Sequence, residues 1–497
     1  MECWTHVYGW DKEGRRLEGM SFLLTREGRI IWTRRIKGFW EEFRRKKIGL
    51  AGLFIVLVFV FMAIFAPWLT PYDPLASERV ADGFAVPQWM MIFPQYADLA
   101  TTRATSIYWE VEEGSKFIKE WGQNILVNFE AETTDTVTAA FTFEYAYSQK
   151  VPPDAFYCEF EWKGEEVENS RYLLKLYIVN PVGNSTLLWI LPGSWRDTNG
   201  GEAVHVDSTN WELLKRLGLQ LGVDNLGREV FAVGEGNYNF ILEILFKPQA
   251  IGAKCEIHFK DTTFVTLGHV HGILGCDNAG ADIWAQLVYG ARVSLMIGIM
   301  AAAIATFLGI TVGITSGFLG GVVDETLMRI VDILLCLPLL PLLLALVALF
   351  GKSVFYIVLF VAIFGWQGLS RVIRSSVLSL RESTFIECAK AAGASRFYIM
   401  VKHLLPNVLP IAFASLVLSV PAAILFEATL SFLGFGDPRS PTWGKMLHHA
   451  FGFGGFSHLA WWWILPPGFA ITFLCIAFVF MGSAVDEVVN PRLRRRR

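Results

Sequence analysis

The residue types that could break or form covalent bonds do not occur in catalytic patterns in this 497-residue chain. The segment Gly351-Lys352-Ser353 matches the end of a phosphate-binding loop, but Leu346 stands where such a loop needs its first glycine. Paired carboxylates such as Glu112-Glu113 are typical of a solvated acidic surface. No cysteine or histidine cluster has the spacing of a metal site. The sequence therefore predicts that the chain is not an enzyme and holds no cofactor or metal.

Three charged residues fall in or beside apolar segments. Asp332 follows Arg329 by three residues, which places both on one face of a helix. Because a carboxylate in a membrane is costly without a partner, we expect an ion pair between them, with control of a gate as the alternative role. Glu427 lies near the end of another apolar segment. We expect it to pack in the interior, with exposure to a polar path through the protein or to a partner chain as the alternative.

The polar segment between Arg371 and Pro406 has the most specific pattern in the chain. It contains Glu387-Cys-Ala-Lys-Ala-Ala-Gly393 and, ten residues later, Leu404-Leu405-Pro406. We expect two short helices separated at Gly393, because glycine permits a sharp turn. The small side chains before the glycine would let the surface of another protein approach closely. Pro406 can begin the next helix, since an amide in the first turn has no helical partner anyway.

This segment resembles the loop of ABC-importer permeases that is known by the pattern Glu-Ala-Ala, three residues, Gly, nine residues, Ile-x-Leu-Pro. Cys388 and His403 depart from that pattern. The resemblance implies a coupling loop over residues 371–405 that docks on an ATPase subunit, while ATP and Mg are bound by that partner. The docking residues that it implies are Glu387, Ala389, Ala391, Ala392, Gly393, Ala394, Leu405 and Pro406.

Further stretches are similar to one branch of this family, the C-type permease subunit of dipeptide and oligopeptide importers. They are Lys46–Pro74, Leu274–Asp277, Tyr289–Leu295, Leu430–Gly434 and Pro441–Gly444. The resemblance covers roughly residues 34–74 and 271–497. It implies a subunit that imports peptides, or oligosaccharides as some members do. The partners that it implies are a second permease, two ATPase subunits and an external solute-binding protein.

Uncharged apolar stretches predict six membrane-spanning helices, the number expected for the type I importer permease fold. They cover residues 48–69, 293–323, 333–351, 353–370, 404–426 and 446–485. Lysine and arginine precede the first stretch, follow the last and fill the loop 371–405. The positive-inside rule then predicts a multi-pass protein of the plasma membrane with both termini in the cytoplasm. We expect cytoplasmic tails over residues 1–47 and 487–497 and a permease core over residues 271–486.

The composition indicates the same division of the chain. Hydrophobic residues make up 53% and charged residues 18%, and the mean hydropathy of +0.41 excludes an ordinary soluble enzyme. Residues 71–285 carry a net charge of −15 and the rest of the chain +12. The basic residues flank apolar runs and do not form a separate basic face, which argues against nucleic-acid binding.

Residues 70–270 have the pattern of an inserted β-rich domain, and residues 70–285 are predicted to lie outside the membrane. Short alternating runs such as Phe156–Trp162 predict a β-sandwich or jelly roll. Asn184 begins a glycosylation sequon. Cys158 and Cys255 lie in strand-like segments, where either a disulfide or two free thiols is possible on the sequence. An alternative of another class is a membrane-anchored ectodomain that binds a ligand or partner, with the spans as anchorage only.

Overall fold

The structure is a computed structural model that describes residues 37–74, 79–114, 116–193, 195–220 and 225–489. The ends of both predicted tails, residues 1–36 and 490–497, lie outside the described residues. The chain forms two compact units. The membrane unit is drawn from Met1–Leu75, Ala285–Gly452 and Ile464–Arg497, and the insert unit from Ala76–Trp284 and Phe453–Trp463.

The membrane unit is helical because apolar segments in a bilayer can pair their backbone N–H and C=O groups only within a helix. Residues 37–43 are helical. The helices after them are labelled here in chain order, and α3 and α4 belong to the insert unit. They are α1 (Lys47–Ile64), α2 (Ala66–Leu69), α3 (Trp211–Arg216), α4 (Leu226–Val230), α5 (Ile283–Leu319), α6 (Gly321–Cys336), α7 (Leu339–Phe350), α8 (Val354–Ile363), α9 (Gln367–Arg381), α10 (Thr384–Ala391), α11 (Arg396–Ile399), α12 (Leu405–Leu430), α13 (Trp443–Gly452) and α14 (Trp461–Val489).

Five helices among the described residues are long and apolar enough to cross a membrane. They are Lys47–Ile64, Ile283–Leu319, Val354–Arg381, Arg396–Phe435 and Trp461–Val489. The last of these begins only at Trp461, because α13 and a loop occupy the first part of the predicted span 446–485.

The predicted span over residues 333–351 is not one straight helix. Leu337 is extended, as a residue before proline usually is, and α6 and α7 meet at an angle of 88°. The 12 residues of α7 are about 18 Å long, which is short of a hydrocarbon core of about 30 Å. The prediction of six spans is therefore not confirmed, and six are reached only if the bent pair counts as one span.

A bidentate ion pair joins α6 to α9 in the membrane unit. Arg374 donates from Nε and Nη2 to the two carboxylate oxygens of Asp324, each at 2.6 Å. The Ser316 hydroxyl donates to Oδ1 of the same carboxylate at 2.8 Å. Both charged side chains are largely shielded from solvent, so this contact is stronger than an ordinary surface pair.

A second ion pair between the same helices joins Asp332 to Arg371. The prediction that Asp332 pairs with Arg329 is therefore wrong. A pair three residues apart on one helix contributes little, whereas the guanidinium on the neighbouring helix reaches the carboxylate directly. Both side chains of the observed pair are half exposed.

Two sequence stretches that marked the family resemblance pack against each other. The Trp443 indole N–H donates to the Leu287 carbonyl at 2.9 Å, and the tryptophan ring is fully buried. A Cβ atom at Gly290 would lie 2.7 Å from Cδ1 of that ring, so only glycine fits there. Phe59 of α1 meets the other side of Trp443, with the ring centroids 5.4 Å apart.

The insert unit contains two antiparallel sheets. Its strands are β1 (Val86–Pro87), β2 (Arg103–Ser106), β3 (Glu110–Glu113), β4 (Ile118–Glu120), β5 (Ile125–Glu130), β6 (Val137–Tyr147), β7 (Ala155–Glu168), β8 (Ser170–Val179), β9 (Ser185–Ile190), β10 (Gly200–Asp207), β11 (Gly236–Pro248), β12 (Lys254–Leu267) and β13 (Val270–His271). One sheet has the order β10-β7-β12-β5-β4, with β2 paired to β12. The other has the order β3-β6-β11-β8-β9.

The two sheets bury one shared hydrophobic core, which is the arrangement of a β-sandwich. Phe129 of one sheet stacks on Phe246 of the other at 4.8 Å between centroids. Trp109 and Trp162 are fully buried in this core. Strands β1 and β13 form a separate parallel pair, in which Val86 lies opposite Val270, so the insert begins and ends at the same place.

The structure contradicts the disulfide reading of Cys158 and Cys255, because both thiols are free and buried. Strand β7 pairs with β12, and Cys158 lies opposite Phe264. That position is nine residues along β12 from Cys255. At about 3.3 Å per residue, the register separates the two cysteines by roughly 30 Å, far beyond the reach of a disulfide.

The two ion pairs of α9 should differ in their contribution to stability. We expect Asp324→Asn to lower the free energy of unfolding by about 1–3 kcal/mol, because it breaks a shielded bidentate pair. The matched variant Asp332→Asn should cost less than about 1 kcal/mol, because its pair is half exposed. Denaturant unfolding of the purified protein in detergent measures both. Equal losses would contradict this ranking.

The free thiols can be counted directly. In protein unfolded without reductant, both Cys158 and Cys255 should react with a maleimide, because neither is held in a disulfide. Intact-mass measurement should show the same number of labels with and without prior reduction. Two additional labels after reduction, absent from a Cys158→Ser variant, would show that the pair is bonded.

Candidate functional site

Residues 371–381 of the predicted coupling loop 371–405 belong to α9, so the loop itself begins after Arg381. The inner face of this shorter loop packs on the membrane helices. Ile386 and Ala389 of α10 are buried together with Ile399 and Leu404. They pack against side chains of α5, α9 and α12, which are Ile314, Phe318, Ile373, Val377, Val408 and Ala412. Ala389 is therefore buried against the membrane helices. The prediction that its small side chain lets the surface of another protein approach is wrong for this residue.

The turn at Gly393 has a defined helix-ending geometry. Gly393 has φ of +79°, its N–H donates to the Lys390 carbonyl at 3.0 Å, and the Ala394 N–H donates to the Ala389 carbonyl at 3.1 Å. These two bonds form a Schellman motif, which favours glycine at the left-handed position. Ser395 then begins α11 by accepting a bond from the Tyr398 N–H at 3.2 Å. The sequence prediction of two short helices broken at Gly393 agrees with this geometry.

The outer face of the loop is exposed. It carries Glu387, Cys388, Lys390, Ala391, Ala392 and Gly393. Two aromatic side chains of the loop are also exposed: Phe385 on α10, and Phe397 on α11, which is 72% exposed. The sequence analysis did not single out these two residues. The sequence does contain a signal for them. Each is a large apolar side chain in a polar loop segment, where such a residue is unusual unless another surface covers it.

The loop joins α12 through a widened turn. Residues Met400–Leu404 are π-helical, and the Leu405 N–H donates to the Met400 carbonyl five residues earlier. Pro406 follows in the first turn of α12, while Pro410 and Pro421 lie inside that helix. Because proline has no N–H to donate, each leaves a carbonyl of the preceding turn without its helical bond. Leu405 and Pro406 thus lie where the coupling loop becomes a membrane helix.

The structure places Glu427 in the interior of the membrane unit, where it is 1% exposed. The Ser431 hydroxyl donates to Oε1 of Glu427 at 2.6 Å. Its Oε2 atom has no hydrogen-bond partner among the residues that the structure describes. This placement favours interior packing over exposure to a transport path. Asn184 lies in the exposed turn between β8 and β9, and glycosylation there stays a prediction.

The insert unit contains a separate polar cluster, formed by Asp82, Asp154 and His269. The Arg79 Nη2 donates to Oδ1 of Asp82 at 2.6 Å, and the Arg228 Nη2 donates to Oδ2 of Asp154 at 3.0 Å. Burial raises the pKa of Asp82 to about 6, against the opposing effect of Arg79. Burial also acts to raise the pKa of Asp154, but His269 and Arg228 hold that pKa below its usual range. No sequence spacing indicated this cluster.

A second polar group lies on the sheet surface of the insert and consists of Glu165, Glu256 and His258. His258 Nε2 is 2.8 Å from Oε1 of Glu256 and 3.6 Å from Oε2 of Glu165. Lys163 forms an ion pair with Glu165 at 2.5 Å. All three residues of the group are partly exposed, and each has a charged or polar neighbour within the group.

Comparison with known families identifies both ends of the membrane unit. Residues 309–495 match the family described as "Binding-protein-dependent transport system inner membrane component". Residues 35–85 match the family described as "N-terminal TM domain of oligopeptide transport permease C". The strands β1 to β13 of the insert fall between the two matched regions.

Individual relatives give the same assignment. The dipeptide transport system permease protein DppC of Bacillus subtilis is 35% identical over 222 residues, which are 44% of this chain and 69% of that protein. The oligopeptide transport system permease protein OppC of Escherichia coli is 37% identical over 223 residues, 44% of this chain and 72% of that protein. An inward-facing structure of the MetNI methionine ABC transporter aligns with 41% of this chain and 95% of its own at 17% identity, with a TM-score of 0.34. The two family matches, together with the two relatives DppC and OppC, show that the chain belongs to the family of C-type permease subunits of dipeptide and oligopeptide ABC transport systems.

Proposed function

We propose that this chain is the membrane-spanning subunit of an ATP-driven peptide importer. In this proposal it pairs with a second permease, receives peptides from an external binding protein and is driven by two ATPase subunits. The observation that carries the proposal is the division of the coupling loop into two faces. The inner face packs on three membrane helices, whereas Phe385, Phe397 and several small residues of the loop are exposed.

The proposed coupling follows from what the loop touches. ATPase closure would push on α10 and α11, whose buried residues pack against α5, α9 and α12. Helix α9 is bonded in turn to α6 through Asp324 and Asp332. A displacement of the loop would thus reach four membrane helices through direct contacts. Helices that move as packed bodies in this way provide alternating access without bond chemistry in this chain.

The proposed solute is a peptide, because the curated relatives are named for dipeptide and oligopeptide transport. The oligosaccharide alternative has no such support. A strain that depends on this transporter should accumulate labelled di- and oligopeptides, and deletion of this chain should abolish that uptake. Uptake of oligosaccharides but not of peptides would overturn the choice of solute.

The proposed orientation places the coupling loop and both termini in the cytoplasm and the insert outside. The basic residues around the loop support it, since positive charge is retained on the cytoplasmic side. The net charge of −15 over residues 71–285 suits a translocated domain.

Docking of the ATPase can be tested at the exposed aromatic residue. We expect Phe397→Glu to reduce the ATPase recovered with the purified transporter at least tenfold, because a charge replaces the apolar anchor of the interface. The matched control is Trp211→Glu, which changes an exposed aromatic residue of the insert. The control should keep the ATPase. Full recovery with Phe397→Glu would contradict docking through this face.

The orientation can be tested with the exposed thiol of Cys388. In a chain whose Cys3 and Cys336 are replaced by serine, a membrane-impermeant maleimide should label Cys388 only after the membrane is opened. A cysteine introduced as Trp211→Cys should be labelled on intact cells. Labelling of Cys388 on intact cells would reverse the proposed topology.

A further inference from the structure

Three potential metal ligands converge in the insert unit from three separate segments of the chain. Asp82 lies in the loop that enters the insert, Asp154 precedes β7, and His269 lies between β12 and β13. Nε2 of His269 is 3.4 Å from Oδ2 of Asp154 and 3.9 Å from Oδ2 of Asp82. One ligand atom from each residue lies within 4.8 Å of the other two.

One of these ligand atoms is buried without a partner. The side chain of Asp82 is 5% exposed, and its Oδ1 accepts bonds from Arg79 and from the Gly83 N–H. Its Oδ2, which faces His269, has no hydrogen-bond partner in the described part of the chain. A buried carboxylate oxygen without a donor or cation is costly. The protein groups described around Asp82 therefore leave its Oδ2 atom without the donor or cation that it needs.

Two arginines hold the carboxylates in position. Arg228 does so partly through Oδ2 of Asp154, the oxygen nearest His269, which keeps a second lone pair for another partner. Arg79 donates to the Asp82 oxygen that points away from His269. Arg228 bonds Asp154 through both Nε and Nη2. Hydrogen bonds of this kind orient the ligands of metal sites and are found around them as outer partners. His269 and Asp154 are partly accessible, which leaves a path for an ion from solvent.

We propose that Asp82, Asp154 and His269 bind a divalent transition-metal ion of the Zn²⁺ or Mn²⁺ class, with water completing its coordination. Two carboxylates and one imidazole suit such ions, whereas Ca²⁺ and Mg²⁺ prefer oxygen ligands throughout. Bonds of about 2.1 Å in a tetrahedral site put ligand atoms about 3.4 Å apart. The two distances from His269 Nε2, 3.4 and 3.9 Å, are close to that separation.

The ion would fasten the two ends of the insert to its sandwich. It would join the incoming chain at Asp82 to the outgoing chain at His269 and to the start of β7 at Asp154. Because the three residues are about 70 and 115 positions apart in the sequence, the unfolded chain offers no comparable site. Binding would therefore stabilise the folded insert by mass action. This inference departs from the sequence prediction of no metal, and it does not depend on the proposed transport function.

The surface group of Glu165, Glu256 and His258 supplies a matched control. It likewise offers two carboxylates and one histidine, although from glutamates, but His258 already lies 2.8 Å from a Glu256 oxygen, and Glu165 is paired with Lys163. A variant His258→Gln tests whether any ion retained by the protein is held at exposed acidic groups instead.

The experiment uses the full chain in detergent, stripped with EDTA and dialysed against Zn²⁺ or Mn²⁺. We expect elemental analysis to find one ion per chain, and Co²⁺ to give the visible absorption of a low-symmetry site. Asp82→Asn and His269→Gln should each weaken binding at least tenfold, while His258→Gln should leave it unchanged. If a variant does not fold, the wild-type protein should still unfold at a higher temperature with Zn²⁺ than with Mg²⁺.

Three results would overturn the inference. The first is a wild-type chain that retains no stoichiometric ion and shows no thermal shift. The second is binding that survives both Asp82→Asn and His269→Gln. The third is binding lost in His258→Gln but kept in the other two variants, which would place the ion on the surface group.

Discussion

Every backbone N–H and C=O group that enters the hydrocarbon of a membrane needs a partner within the protein, and the membrane unit follows from this constraint. It makes each apolar stretch a helix. Each proline in such a helix removes one backbone hydrogen bond and so disturbs the helix. Pro338 separates two helices that meet at 88°, and Pro406 follows a π-helical turn. These two irregular places lie at residues that cannot supply a backbone donor. The insert unit pairs its backbone groups between strands and forms sheets.

The membrane unit concentrates its polar contacts around α9. This helix carries the two arginines that bond α6, and its apolar face packs with the coupling loop. The loop itself has few ways to move alone, because its inner residues are buried and its turn is fixed by the Gly393 geometry. A rigid loop that is bonded to several helices transmits displacement better than a flexible one, since interfaces of packed side chains shift as units.

The sequence predicted what is encoded locally. Apolar runs indicated five of the helices that could cross a membrane but not the bend at Pro338, and glycine at 393 indicated the break between α10 and α11. It could not predict the features that depend on distances between segments. Arg371 as the partner of Asp332 depends on how α6 and α9 pack. The separation of Cys158 from Cys255 depends on strand register, and the meeting of Asp82 with His269 depends on the path of the chain around the sandwich. None of these has a signature in residue spacing.

The parallel pairing of Val86 with Val270 means that the chain leaves the sandwich beside the point where it entered. From the viewpoint of the permease sequence, the whole insert is equivalent to a short surface loop. An addition of this kind leaves the flanking helices free to keep their own spacing, whatever the size of the added domain. Such a joint makes the insert exchangeable in evolution: it can be gained, lost or replaced by another fold without redesign of the transport machinery on either side.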